Sequence, residues 1–274
     1  NKVTYYYRGA VDNNYVYFAN YYWRIIRINE DGSVRLIYQG ETSDATGSAT
    51  STGSAATIGE SAFNNSYNDN TYVGYMYGTA GSSTYEETHA NVNDSTIKEV
   101  LDSWYENNLL TNYSSYLADA GFCGDRSLSS GTGIAKTTTY YGAYNRLYTN
   151  KTPQFACPQS NDLYTTSSSN KGNKALDYPI GLITADEVAY AGGVSGKTNN
   201  NYYLYTGSSY WTMSPWFFLG SHAFEWYVDA EGDLAGRSVF GGNGSRPVIN
   251  LKSDVEVIEG GDGTSSNPYV IKTT

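Results

Sequence analysis

The chain is poor in the residues from which metal and nucleophile centres are built. It has two histidines and two cysteines in 274 residues. Two cysteines are too few for a disulfide scaffold or a closed structural zinc site. With so few histidines a catalytic zinc site is not expected, and no cofactor is implied. The sequence contains no His-Glu-x-x-His motif, no Walker loop and no Gly-x-Ser-x-Gly elbow. Charge is also scarce, at 16% of residues, and unbalanced: 17 Lys and Arg against 27 Asp and Glu give a net charge of −10. Nucleic acid and anionic membrane surfaces both require clustered basic charge, so neither is expected as a partner. No apolar run approaches the ~18–20 residues of a membrane span. The chain opens Asn1-Lys2-Val3-Thr4, without an initiator Met or a signal peptide, so a processed or trimmed N-terminal segment is expected.

What is abundant is Gly, with 29 residues, and Tyr, also with 29. That composition is not a disordered one. It predicts a turn-rich, mostly non-helical chain, long enough for a sizeable core. With no fixed-period repeat and no clean linker, residues 1–274 are read as a single domain. Tyr15 to Ala19 reads as a strand. Tyr21–Ile28 and Ser33–Tyr38, joined at Asn29-Glu30-Asp31-Gly32, read as a hairpin of sheet-core aromatics. Residues 39–57, rich in Gly, Ser, Thr and Ala, read as a loop. Tyr72–Gly78 reads as a short strand.

Two helices are expected. Thr96 and Glu99 fit a capping box, and Ile97, Val100, Leu101 and Trp104 form one apolar stripe, predicting a helix over 96–108. Thr184 and Glu187 repeat the capping logic, and Gly192-Gly193 ends the second helix. Residues 124–175 read as a long irregular insert. Strands resume at 202–205, 210–213, 224–229, 247–251 and 269–271.

Cys123 and Cys157 lie near the ends of that insert. One pair leaves one possible bridge, and a disulfide is favoured over free buried thiols because it would staple the insert in an oxidising compartment. His89 and His222 read as surface or loop residues. The Asp- and Gly-rich segments at 29–32, 229–233 and 260–263 lack EF-hand spacing and read as turns, so no metal site is expected. Between 210 and 251, large aromatics stand beside Gly and Ser without strand alternation. Composition alone leaves core and binding surface equally open there.

Several blocks carry a family resemblance. Tyr22–Asn29, Tyr72–Gly78, Gly181–Glu187, Arg246–Leu251 and Gly260–Ile271 together resemble surface proteins of gut Firmicutes that follow a prepilin-type N-terminal helix. Trp211-Thr212-Met213-Ser214-Pro215, followed by a variegated stretch and Arg246-Pro247-Val248, resembles the C-terminal part of C-type-lectin-fold variable proteins. These are related in fold to formylglycine-generating-enzyme domains, and diversity-generating retroelements rewrite chosen codons in them.

The resemblance implies an α+β fold, mostly strands and irregular loops with two helices, both termini meeting in one sheet and Trp104 largely buried. It implies a non-catalytic, adhesin- or receptor-type protein at the bacterial cell surface, anchored through a segment outside this chain. Its partner would be a protein or glycan on another cell, host or phage surface. The alternative is a pilus or surface-layer subunit that self-associates through the aromatic tail. Neither Glu-Pro-Asn nor Trp-Asn-Asp is present, so calcium-dependent sugar binding is not expected. The cysteines also lie far from the copper-binding pair of a formylglycine-generating enzyme. The resemblance places the variable face between Trp211 and Arg246. Trp211, Ser214, Pro215, Gly220, Gly232, Val239, Arg246 and Pro247 read as scaffold there. Trp216, Phe217, Leu219, His222, Phe224, Trp226, Ala235, Arg237, Phe240 and Gly241 read as contact residues, most of them sharing one solvent-facing surface.

Overall fold

The structure, a computed structural model, describes residues 3–48 and 54–273. Strands dominate, arranged in two seven-stranded sheets with few helices. Five of the aligned strands of the first sheet run Val248–Leu251, Val34–Gly40, Tyr21–Ile28, Tyr15–Phe18 and Tyr269–Ile271, with Val257–Ile258 at the edge. The expected hairpin is present; Gly32 takes φ +84° in its turn, a conformation that suits glycine. Trp23 is fully buried and its indole N–H donates to the Phe18 carbonyl. The last strand pairs in parallel with the strand near the N-terminus, Tyr269 opposite Val16 and Val270 opposite Tyr17. Both ends of the chain therefore share one sheet.

The second sheet runs Leu234–Ser238, His222–Val228, Tyr210–Leu219, Thr139–Tyr141 and Leu128–Ser130. One cluster of buried side chains lies across both sheets and the helices. The 124–175 segment is thus not an irregular insert throughout. Its Thr139-Tyr140-Tyr141 run, rich in β-forming side chains, pairs with Phe217 and Phe218, and Tyr141, Leu147 and Tyr164 are core residues.

Helix Thr96–Asn108 forms where expected, but its cap is Ser95, whose hydroxyl accepts from the Lys98 N–H. Thr96 Oγ1 instead receives the Asn65 N–H. Trp104 is half-buried rather than largely buried; it lies at the sheet margin against Tyr21, Trp23 and Tyr38. Helix Ala185–Ala191 carries the complete Thr184–Glu187 capping box. Tyr202–Tyr205 is a turn, not a strand, because its side chains are spent on long-range packing: Tyr202 and Tyr203 are buried, and the Tyr202 hydroxyl donates to Gly232. The Tyr72–Gly78 segment splits into a 3-10 turn, Asn70–Val73, and a two-residue strand, Met76–Tyr77. Of the loop expected over 39–57, the strand claims Gln39 and Gly40, Ala45, Ala55 and Ala56 are buried, and 49–53 lie outside the described residues.

Cys123 and Cys157 form a disulfide. Among the described residues no helix is long and apolar enough to cross a membrane. The bridge spans 34 residues; in the chain-entropy model such a closure stabilises by about 3–4 kcal/mol. Thiol titration of the unfolded, unreduced protein should find no free thiol, and reduction should lower the denaturation midpoint by a corresponding amount. Two titratable thiols would contradict the bridge.

Candidate functional site: an aromatic face on the second sheet

The hairpin Tyr210–Leu219 and His222–Val228 turns at Gly220-Ser221, with φ +68° at Gly220. A positive φ at the first central position gives a tight turn whose twist matches the strands. Pro215 interrupts the ladder, and the register shifts on both sides of it. A proline within a sheet belongs at such an irregularity, because it has no N–H to pair. The shift breaks strict alternation here, so Trp216 and Phe217 are both half-buried and lie against each other, ring centres 4.1 Å apart.

Directly opposed residues of an antiparallel pair share a face. Phe217 opposes Phe224, and Leu219 opposes His222. Ring contacts continue from there. Phe217 meets Tyr140 at 5.6 Å and Tyr144 at 6.1 Å, and Tyr144 stacks on Tyr148 at 5.1 Å. At the other end His222 stacks on Tyr67 at 4.7 Å and lies 5.6 Å from Phe240. The result is a continuous strip from Tyr148 to Phe240, held ring on ring at separations that favour tilted and stacked pairs. Phe240, Leu219 and Tyr148 are each about half exposed, at 49%, 44% and 52%.

Six of the ten sequence-selected contact residues join this strip or its margin: Trp216, Phe217, Leu219, His222, Phe224 and Phe240. Trp226 does not reach solvent. It is fully buried because Trp216 covers it, ring centres 5.3 Å apart. Ala235 and Arg237 oppose Tyr227 and Glu225, which places them on the reverse side of the sheet. Arg237 is exposed there, with its guanidinium 5.9 Å from the Tyr227 ring centre. Gly241 lies beside Arg237; a Cβ on it would come within 2.7 Å of Arg237 Nε. Sequence reading missed Tyr67, Tyr140, Tyr144 and Tyr148. The 144/148 spacing of one helical turn was the available signal, but only long-range strand pairing brings these tyrosines to the hairpin.

Gly236 makes the face possible. A Cβ there would sit 1.2 Å from Trp216 Cε3, so the indole lies directly on the glycine backbone. Beneath, Glu225 is fully buried, and neither carboxylate oxygen has a partner. Burial pushes its carboxyl well above the usual carboxylate range, with only partial relief from Arg126. Trp216 Nε1, Trp226 Nε1 and Ser238 Oγ are also enclosed without partners. Such orphaned groups are uncommon in a core.

The histidines differ from each other. His89 is buried, contrary to the surface reading: its Nε2 lies 2.9 Å from the Gly133 carbonyl, and burial lowers its pKa to about 3. Among the described residues one carboxylate cluster, Asp94, Asp102 and Asp177, has the spacing of a metal site. Its centre is already filled by the Lys98 ammonium, at 3.1, 2.6 and 3.3 Å from the three acids. The segments at 29–32, 229–233 and 260–263 are turns, with Asp229 and Asp262 accepting backbone N–H bonds two residues ahead.

No family model, curated protein or solved structure matches this chain.

Two outcomes follow from this geometry. Trp226→Ala should cost about 3–5 kcal/mol as a buried large-to-small change. Phe240→Ala should cost less than about 1 kcal/mol, as an exposed one. Thermal melts check both, and equal losses would mean that the face is ordinary core. For Glu225, the folded state keeps a proton that the unfolded chain releases above about pH 4.3. Its contribution to stability is therefore complete below that pH and declines as pH rises, by at most about 1.4 kcal/mol per pH unit. Denaturant melts from pH 4 to 8 should show this decline in the wild type relative to Glu225→Gln. Parallel curves would show that Glu225 is ionised or solvated in the folded protein.

Proposed function

We propose that this chain is the non-catalytic, ligand-binding domain of a bacterial surface protein with a C-type-lectin-like fold, and that the aromatic strip is its binding face. The observation that carries the reading is the strip itself: large rings, packed on one another and partly open to solvent, whose hairpin members Trp216, Phe217, His222 and Phe224, with Phe240, lie in the span where the family resemblance places variegated positions. Rigid aromatics lose little conformational entropy on binding and supply most of the energy at hot spots. The disulfide suits an extracellular setting. Retroelement diversification of the span between Trp211 and Arg246 belongs to the same reading. It requires a near-repeat of the coding DNA, differing at adenines, beside a reverse transcriptase gene.

One observation favours a structural subunit as a second reading. Tyr5 and Ile28 are cross-strand partners, and both are exposed, at 68% and 41%, as a neighbouring subunit would require. Sedimentation velocity separates the two: concentration-dependent polymers favour the subunit.

The purified chain, applied to arrayed glycans and arrayed cell-surface proteins, should select a ligand. Phe217→Ala and Phe240→Ala should then weaken binding at least tenfold, about 1.4 kcal/mol each, with melting temperatures within a few degrees of wild type. Unchanged affinity in both variants would remove the strip from the function.

A further inference from the structure

Away from the aromatic strip, a cleft of about 440 Å³ opens between the first sheet, helix Ala185–Ala191 and the segment around Cys157. The volume lies in the range of small-molecule sites. Four of the chain's 17 basic residues, Arg27, Arg35, Arg146 and Lys171, line it. In a chain with only 16% charged residues, such a concentration of guanidinium groups in one cleft is unusual.

Five acids line the cleft too: Glu30 and Asp31 at its exposed rim, and Asp125, Asp186 and Glu187 inside, where their oxygens are taken. Glu187 Oε1 accepts from Arg27 Nε at 3.0 Å and forms an ion pair with Arg35, whose Nε lies 2.7 Å away, and Oε2 accepts the Thr184 N–H. Asp186 is held by Arg146 Nε and Nη2 and by the Gln154 N–H. Asp125 is held by Arg146 Nη2 and by Ser127. The side chains of these three acids are only 2%, 5% and 4% exposed, whereas Arg27 and Arg146 are 18% and 15% exposed.

The donors are not used up in the same way. Arg35 spends both terminal nitrogens on the Gly121 and Leu182 carbonyls. Arg27 donates only through Nε, so its Nη1 and Nη2 have no hydrogen-bond partner among the described residues. Arg146 Nη1 likewise has none. A guanidinium carries five N–H donors in a planar fork and no acceptor. Around its three buried carboxylates the cleft therefore presents N–H donors that no acceptor among the described residues occupies. Phe155, with the Arg27 guanidinium 4.8 Å from its ring centre, adds an apolar wall.

We propose that this cleft binds a small molecule through an oxyanion group, carboxylate or phosphate, received by the free N–H groups of Arg27 and Arg146, with Lys171 at the rim. Lys171 is available to contribute: its ion pair with Asp31 is long, at 3.6 Å, and both partners are 39% exposed. This site is independent of the aromatic strip, and either can fail without the other.

The test uses the whole chain, labelled at the arginine side chains, titrated with benzoate and separately with inorganic phosphate at ionic strength held constant with sodium chloride. The Arg27 and Arg146 Nε–H resonances should shift saturably with at least one probe. The stronger arm tells whether the natural ligand carries a carboxylate or a phosphoryl group. Arg27→Met should lower the apparent affinity at least tenfold. Lys272→Met, which removes a surface lysine paired with Glu256, should leave it unchanged. Should Arg27→Met fail to fold, Lys171→Met should show a smaller loss in the same direction. Absence of a saturable response to both probes, or undiminished binding in the folded Arg27→Met or Lys171→Met protein, would overturn the proposal.

Discussion

Buried arginines that satisfy the carbonyls of irregular backbone are the constraint on which the rest of this molecule depends. Arg35, Arg126 and Arg246 rank among its largest fully buried side chains. Arg246 donates to the Tyr38 carbonyl at 3.1 Å, the Leu204 carbonyl at 3.1 Å and Gln39 Oε1 at 3.3 Å. That fixes the buried turn at 202–205 against a strand of the first sheet. Arg126 joins Met76, Asn91 and Asp162 in the same way. A chain with so little helix buries many loops, and each buried carbonyl needs a donor. One guanidinium serves several segments at once. Removing such a group leaves its partners unpaired as well, so each arginine acts as a joint rather than a single contact.

Local chemistry was legible wherever neighbours in sequence are also neighbours in space. The hairpin through Gly32 and the capping box at Thr184 and Glu187 follow from spacing alone. The choice between Ser95 and Thr96 as cap was not legible, because the Thr96 hydroxyl was claimed by Asn65, 31 residues away. Tyr140 illustrates the larger failure. Its stretch looks irregular in sequence, yet its pairing with Phe217 makes it part of the face. For the site, residue chemistry picked out the rings of the hairpin but not which side of the sheet each occupies. The irregularity at Pro215 shifts the register, and Trp216 then shields Trp226.

The face is built at some cost to stability. Two indole N–H groups, a carboxyl and a serine hydroxyl are enclosed there without partners. The first sheet pairs more of its buried groups, Trp23 with Phe18 and Asn29 with Asn250, although Arg35 Nε and Asn250 Nδ2 are left without a hydrogen bond.

The parallel pairing of Tyr269–Ile271 with Tyr15–Phe18 has a kinetic consequence. During synthesis the early strand emerges long before its partner, and until then one margin of the first sheet is an open template. Non-local pairings of this kind form slowly, because loop closure must precede any gain. The nascent chain therefore passes through a stage in which Tyr15–Phe18 is available to strands of other molecules, and a segment about 250 residues further along the chain is the one that closes it off.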